Sequence, residues 1–167
     1  MPNWVYNNLT IKGNNESVNK LKEQLNKPFT DEIMAIGDLE YSTKTITYSR
    51  PVFAFRNIIA PTDLVAYIGQ PFHGTMDNRK ENPDSWYNWN NRNWGVKWDV
   101  AVSDENEYPT TKLYSDEVID DSRIIQYYFE TPWGIASQAL ITLSSQYPDL
   151  TFTLSYEEET GWGGQME

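Results

Sequence analysis

Carboxylates and tryptophans are the side chains best placed to do chemistry in this sequence, because cysteine is absent and histidine occurs once. Without cysteine there is no disulfide, no thiol nucleophile and no thiolate metal site. A Ser-His-Asp system would have to be built on His73 alone. The chain has no Gly-x-Ser-x-Gly elbow and no phosphate-cradling Gly-Lys-Ser/Thr motif to help it. His73, in Gln-Pro-Phe-His-Gly, therefore reads as a loop residue, and no cofactor is expected. The run Asp116-Glu117-x-x-Asp120-Asp121 has the oxygen ligands a hard cation needs, but it lacks the glycine and the spacing of a calcium loop. Paired carboxylates also serve as general acid and base, so a small carboxylate-based enzyme or metal-binding protein is one alternative. The tryptophans concentrate between Trp86 and Trp98, with Trp89 and Trp94 among them and Tyr87 adjacent. Trp86 and Trp89, at i and i+3, can face one way on a helix. Structurally, Trp86, Trp89, Trp94 and Trp98 would plug a sheet, with Trp98 in the core. Functionally, they would form a stacking platform for sugar or base, so a sugar-binding module is the second alternative.

Charge separates the chain into two parts. Residues 1–98 carry 11 basic and 10 acidic side chains, whereas residues 99–167 carry 2 basic and 14 acidic, a net −12. Charge of that density repels phosphate backbone and attracts basic protein surfaces. No Lys/Arg-Gly-aromatic stretch of the RNA-recognition kind is present, so no direct nucleic-acid binding is expected. No apolar run approaches the roughly 18–20 residues of a membrane span. Met1-Pro2-Asn3-Trp4 lacks the basic and apolar regions of a leader, so a cytoplasmic protein with no membrane partner is the expectation.

The elements that must position these groups follow from periodicity. Trp4–Ile11 alternates as a strand ended by Gly13-Asn14-Asn15, with Val5, Leu9 and Ile11 on one face. A helix over about Ser17–Leu25 puts Val18, Leu21 and Leu25 on one stripe, with Asn15 as its cap. Residues 30–43 give no clear pattern. Strand character returns at Lys44–Tyr48 and Val52–Phe55, and Thr62–Gly69 holds a short helix before a loop over 70–82. Asn82-Pro83-Asp84 starts a helix that ends before Gly95. Val96–Ser103 alternates, predicting a buried Trp98 with Lys97 and Asp99 on the opposite face. Residues 104–122 form an acidic connecting segment. A strand over Arg123–Glu130, a helix over about Ile135–Ser145, a strand from Leu150 to Glu157 and a loose glycine tail follow. Two β-α-β halves of this kind predict one α+β domain over residues 1–167, a ferredoxin-like split β-α-β sandwich with an inserted Trp-rich helix and loops.

Several segments then carry a resemblance. Met1-Pro2-Asn3-Trp4, Asn8-Leu9, Trp86-Tyr87-x-Trp89, Asn93-Trp94-Gly95-x-Lys97-Trp98-Asp99, Phe129-Glu130-Thr131-x-Trp133, Tyr147-Pro148 and Tyr156-Glu157-Glu158 resemble the YubB-like ferredoxin-domain family. The resemblance implies a ferredoxin-like fold and carriage on plasmids and bacteriophages, and it implies no activity.

Together these readings predict a non-enzymatic acidic protein of a mobile element. Its partner would be a basic host protein, a nucleic-acid-binding nuclease or effector, inhibited in the anti-CRISPR or anti-restriction manner. The residues expected to meet it are Asp99, Asp104, Glu105, Glu107, Asp116, Glu117, Asp120, Asp121, Glu130, Glu157, Glu158 and Glu159.

Overall fold

The alternation that begins at Trp4 continues without a break to Asn14, so strand β1 (Trp4–Asn14) is longer than the apolar pattern alone requires. Its extra length depends on Gly13, where a Cβ would stand 2.2 Å from Leu150 Cδ2. The computed structural model describes residues 1–34, 43–68, 82–107 and 110–167. His73 lies outside them.

Helix α1 (Asn15–Leu25) is capped by Asn14, one residue earlier than expected: the Asn14 side chain accepts from the Ser17 N–H at 2.8 Å. Val18, Leu21 and Leu25 form its buried stripe, as the spacing predicts. The unreadable stretch contains β2 (Phe29–Met34), which pairs with β3 (Thr43–Tyr48) as a separate antiparallel ribbon. Phe29 and Tyr48 stack across it, with ring centroids 4.4 Å apart.

Val52–Phe55 is not a strand. Phe53, Ala54 and Phe55 are fully buried coil leading into a single 3-10 turn, Phe55–Asn57. A short helix α2 (Leu64–Ile68) follows, and α3 spans Trp86–Asn93. Asn82-Pro83-Asp84 does not open α3. It forms a turn in which Asn82 Oδ1 accepts from the Asp84 N–H at 3.1 Å, and Ser85 takes the cap position. Val96–Ser103 is irregular rather than extended, because Gly95 (φ +86°) reverses the chain and the following backbone amides turn inward.

The acidic segment 104–122 is not a mere connection either. Residues Thr111–Ile119 form β4, an edge strand hydrogen-bonded to β5 (Ser122–Pro132). The two-residue turn Asp120-Asp121 joins them, with Asp120 in the left-handed region (φ 52°) that aspartate tolerates. Helix α4 (Ser137–Gln146), β6 (Thr151–Glu158) and β7 (Gly163–Met166) complete the chain, so the glycine tail is a strand pairing with β6.

The main sheet is antiparallel, ordered β4-β5-β1-β6-β7. One face carries Leu9, Ile11, Ile125, Tyr127, Phe129 and Leu154, which pack with α1, α4 and the buried Phe53–Ile58 coil. The rings of Phe53 and Phe129 stack at 5.1 Å, and Phe55 meets Phe129 edge-on at 6.0 Å. No residue among Tyr6, Asn8, Thr10 and Lys12 on the other face of β1 is buried.

Trp98 is only half-buried, whereas Phe53 and Trp94 occupy the core. Phe53→Ala is therefore expected to cost about 3–5 kcal/mol in urea unfolding, and Trp98→Ala distinctly less.

Candidate functional site

The acidic residues of the C-terminal part do not gather into one cluster. Asp116 is held by Arg123 through Nε and Nη2, both at 2.7 Å, and by Lys22 Nζ at 2.7 Å. Those contacts, the arginine hydrogen bonds foremost, hold its carboxyl well below the usual aspartate range. Glu105 pairs with Lys44 at 2.7 Å, and Asp104 accepts from the Ser49 amide and hydroxyl at 2.9 and 2.8 Å. Glu158 is buried, and its carboxylate accepts from the Thr160 amide at 2.7 Å and from the Thr160 hydroxyl. These four carboxylates serve the fold. Glu107, Glu117, Asp120 and Asp121 are exposed. Among the described residues, no group of three or more histidine, aspartate or glutamate side chains stands ready to hold a metal ion.

The open sheet face collects the remainder. Glu130 on β5 and Glu157 on β6 stand directly opposite Tyr6 on β1, forming a row across three neighbouring strands. Strand spacing puts the two glutamates roughly 10 Å apart. Glu159 follows at the end of β6, its carboxylate 3.4 Å from the Tyr6 hydroxyl, and Tyr128 donates to Glu130 at 2.9 Å. Burial and then the hydrogen bond to Glu130 raise the Tyr128 phenol. Partial desolvation and Glu159, with Glu130 adding to them, raise that of Tyr6. Both tyrosines thus stay protonated donors among carboxylates.

Asp99 is at a different place altogether, reversed from the expected orientation. Its Oδ1 accepts from the N–H groups of Phe55 (2.7 Å), Val100 (2.7 Å) and Ala101 (3.2 Å), and Oδ2 from that of Arg56 (2.9 Å). Burial pushes this carboxyl up, and the four backbone donors oppose that shift. Trp98, next in sequence, points outward and meets Trp4 and Trp133, with centroids at 6.4 and 5.9 Å. Lys97 Nζ lies 4.9, 5.3 and 5.9 Å from the ring centroids of Trp98, Trp133 and Trp86. Trp86 is exposed and Trp98 half-buried, so neither plugs the sheet, and Trp133 beside them is exposed as well. Trp89 and Trp94 do pack inward, edge to face at 5.4 Å. Segments far apart in the chain thus converge at Trp4, Trp86, Lys97, Trp98, Asp99 and Trp133.

Beside Asp99 lies a cavity of about 390 Å³, walled by Trp4, Tyr48, Tyr67, Trp94 and Trp98 and reached by Asp31, Asn90 and Ser103. An adjoining cavity of about 320 Å³ shares Asp31, Tyr67 and Asn90 with it. Asp31 is paired with Arg56 at 3.0 Å, and its carboxyl is raised by burial against the lowering effect of that arginine. The Tyr67 hydroxyl donates to Asn90 Oδ1 at 2.9 Å, and Asn90 Nδ2 donates to the Lys97 carbonyl at 2.8 Å. Sequence reasoning missed Asp31, Tyr48, Tyr67, Asn90 and Ser103 as a group, because they come from separate segments and the period of any one segment does not report which others it meets.

Two outcomes follow from these carboxylates. Asp99→Ala strands four backbone donors and is expected to cost at least about 3 kcal/mol in urea unfolding. Asp116→Asn should lose about 1–2 kcal/mol at pH 7, given its bidentate arginine and remaining exposure. The folded-state carboxyl titrates below the unfolded value near 3.9. The contribution of Asp116 is therefore full above that value and is lost as pH falls through the depressed one. Urea melts of both proteins should converge as the pH is lowered from 7 toward 2.

A family profile described as a ferredoxin-like domain in Api92-like protein matches residues 97–167, less than half of the chain. That match begins at Lys97 and takes in β4, β5, α4, β6 and β7. No curated protein matches this sequence, and no solved structure matches it. The chain is thus a mixed α/β protein with antiparallel sheets whose C-terminal part is similar to that ferredoxin-like domain. No helix among the described residues is long and apolar enough to cross a membrane.

Proposed function

We propose that this protein is a non-enzymatic binder that lays an acidic, tyrosine-bearing sheet face on the basic, nucleic-acid-binding surface of a host protein. The observation that carries the reading is the cross-strand row Glu130–Tyr6–Glu157, with Tyr128 and Glu159 beside it, on the face of the main sheet opposite the hydrophobic core. Tyrosine suits such a surface because it supplies rigid contact area with a hydroxyl at its tip. Carboxylates about a strand spacing from it complement arginine and lysine. Lys12 and Lys112 also stand on this face, in other rows, so the negative end is localised rather than spread evenly. Glu117, Asp120 and Asp121 extend the negative charge along β4 and its turn.

The YubB-like affinity and the mobile-element setting belong to the same proposal, as does inhibition of an anti-CRISPR or anti-restriction kind. So does the finer fold. The order β6-β1-β5-β4, with α1 following β1 and α4 joining β5 to β6, supports a split β-α-β arrangement into which residues 29–110 are inserted.

The test is capture from bacterial lysate at low and high salt, followed by identification of the captured protein and assay of its nucleic-acid binding. Association should weaken as salt rises, since the Debye length is about 8 Å at physiological ionic strength. DNA should compete with this protein for the partner. The triple change Glu130→Lys, Glu157→Lys and Glu159→Lys should abolish capture while the fold survives, because substitutions at the exposed Glu157 and Glu159 usually shift stability by about 0.5 kcal/mol or less and the half-buried Glu130 gives up one hydrogen bond from Tyr128. A partner retained by the triple variant, or one indifferent to DNA, would show the reading to be wrong.

A further inference from the structure

The cavity beside Asp99 has features that core packing does not explain. Its aromatic walls come from four separate parts of the chain: Trp4, Tyr48, Tyr67, and the pair Trp94 and Trp98. Ser103 is more than nine-tenths buried, lines the cavity, and its hydroxyl has no hydrogen-bond partner. A buried hydroxyl without a partner costs free energy unless something in the cavity answers it. The amide of Asn90 and the phenol of Tyr67 are already committed to each other and to the Lys97 carbonyl.

Charge decides what could answer it. Both ionisable acids that line the space, Asp31 and Asp99, are carboxylates, and Glu32 adds a third at the adjoining cavity. Arg56 is engaged with Asp31, and Lys97 stands over Trp98. The backbone amides on Asp99 leave its Oδ2 with a single donor, and the contacts of Asp31 with Arg56 and with the Glu32 amide both fall on Oδ1. An anion would meet carboxylates here. A cation would meet acceptor oxygens with spare capacity and the faces of electron-rich rings. The volume, about 390 Å³, is in the range of small-molecule sites.

We propose that this cavity binds a small organic cation bearing N–H donors, a primary ammonium or an amidinium, held between the aromatic walls by Asp31, Asp99 and the Ser103 hydroxyl. The ammonium replaces its water with carboxylate oxygens, and its carbon skeleton lies against Trp4, Trp98 and Tyr48. This site is distinct from the acidic sheet face and does not depend on it.

The experiment varies the ligand first, so that it does not rest on any variant folding. Benzylamine, benzyl alcohol and benzoate share a ring and differ in charge. Each is titrated into the full chain at pH 7 and followed by tryptophan fluorescence and calorimetry, with methyl glucoside as the sugar control. Benzylamine should bind saturably below about 1 mM and at least about tenfold tighter than the other three. Asp31→Asn should weaken it at least about tenfold, and Ser103→Ala, which keeps the wall's shape, should weaken it severalfold without lowering the melting temperature. Equal affinity for amine and alcohol, tighter binding of methyl glucoside or benzoate, or no saturable binding of benzylamine would overturn the proposal.

Discussion

Four backbone amides converge on the Asp99 carboxylate, and much of the molecule is arranged around that contact. Phe55 and Arg56 donate from one segment, Val100 and Ala101 from another. Neither segment belongs to the sheet, so neither has ladder partners for its amides. A carboxylate accepts several N–H bonds at once, which a neutral side chain of this size does not do. The contact ties the coil bearing Phe53 and Phe55 to the coil bearing Trp98. On the inner side this seats Phe53 and Phe55 on Phe129. On the outer side it forces Trp98 toward Trp4 and Trp133. The core and the cavity wall are two consequences of one half-buried carboxylate.

That contact also explains where the sequence was readable. Val96, Trp98, Val100 and Val102 alternate as cleanly as any strand in the chain, yet the segment is irregular. Alternation reports which side chains face apolar surroundings, and it assumes that the backbone amides pair with a neighbouring strand. Here they pair with a side chain, and the polar residue between Trp98 and Val100 turns out to be the one taken inward. The elements with ordinary amphipathic patterns were legible: β1, α1, β5, α4 and β6 are all where the periodicity puts them, to within a few residues. Strand β4 was hidden because its charges, Lys112 and Glu117 on one face and the paired Asp116 on the other, obscure a pattern in which only Thr111 is buried. An edge strand carrying charge resists pairing with another chain, so the composition that disguised it as a connection is the composition an edge needs.

The net −12 of residues 99–167 was legible as a number but not as a surface. Folding brings Lys22 and Lys44 from the first half of the chain onto Asp116 and Glu105. Glu158 is spent on the Thr160 turn, and one oxygen of Asp99 takes up three backbone amides away from the open sheet face. A local excess counted along the sequence therefore overstates the charge available to a partner. What survives is a smaller set, fixed by strand register: Glu130, Tyr6 and Glu157 are opposite one another because β1 pairs with β5 and β6 at those positions. Nothing in the spacing of those three residues along the chain anticipates it.

Trp133 shows how the second grouping is kept in place. Its backbone is left-handed (φ 59°), a conformation that costs a bulky residue on the order of 1–3 kcal/mol. Several bonds over-determine it. The Trp133 N–H donates to the Asn3 carbonyl at 2.8 Å, and the Thr131 hydroxyl donates to the Gly134 carbonyl at 2.6 Å. Asn7, fully buried on β1, donates to Thr131 Oγ1 at 2.9 Å and to the Phe129 carbonyl at 3.2 Å. Gly95 gives the turn room, for a Cβ there would stand 3.3 Å from the Ile135 carbonyl oxygen. The result is an exposed indole facing Lys97 Nζ at 5.3 Å. A cation–π contact of this kind contributes about 0.5–1 kcal/mol at an exposed site, less than the upper end of the strain. The contact alone does not account for the geometry, so the framework beneath it must carry the rest: the hydrogen bonds from Asn7 to Thr131 and from Thr131 to Gly134 hold the turn that presents the indole beside Trp98.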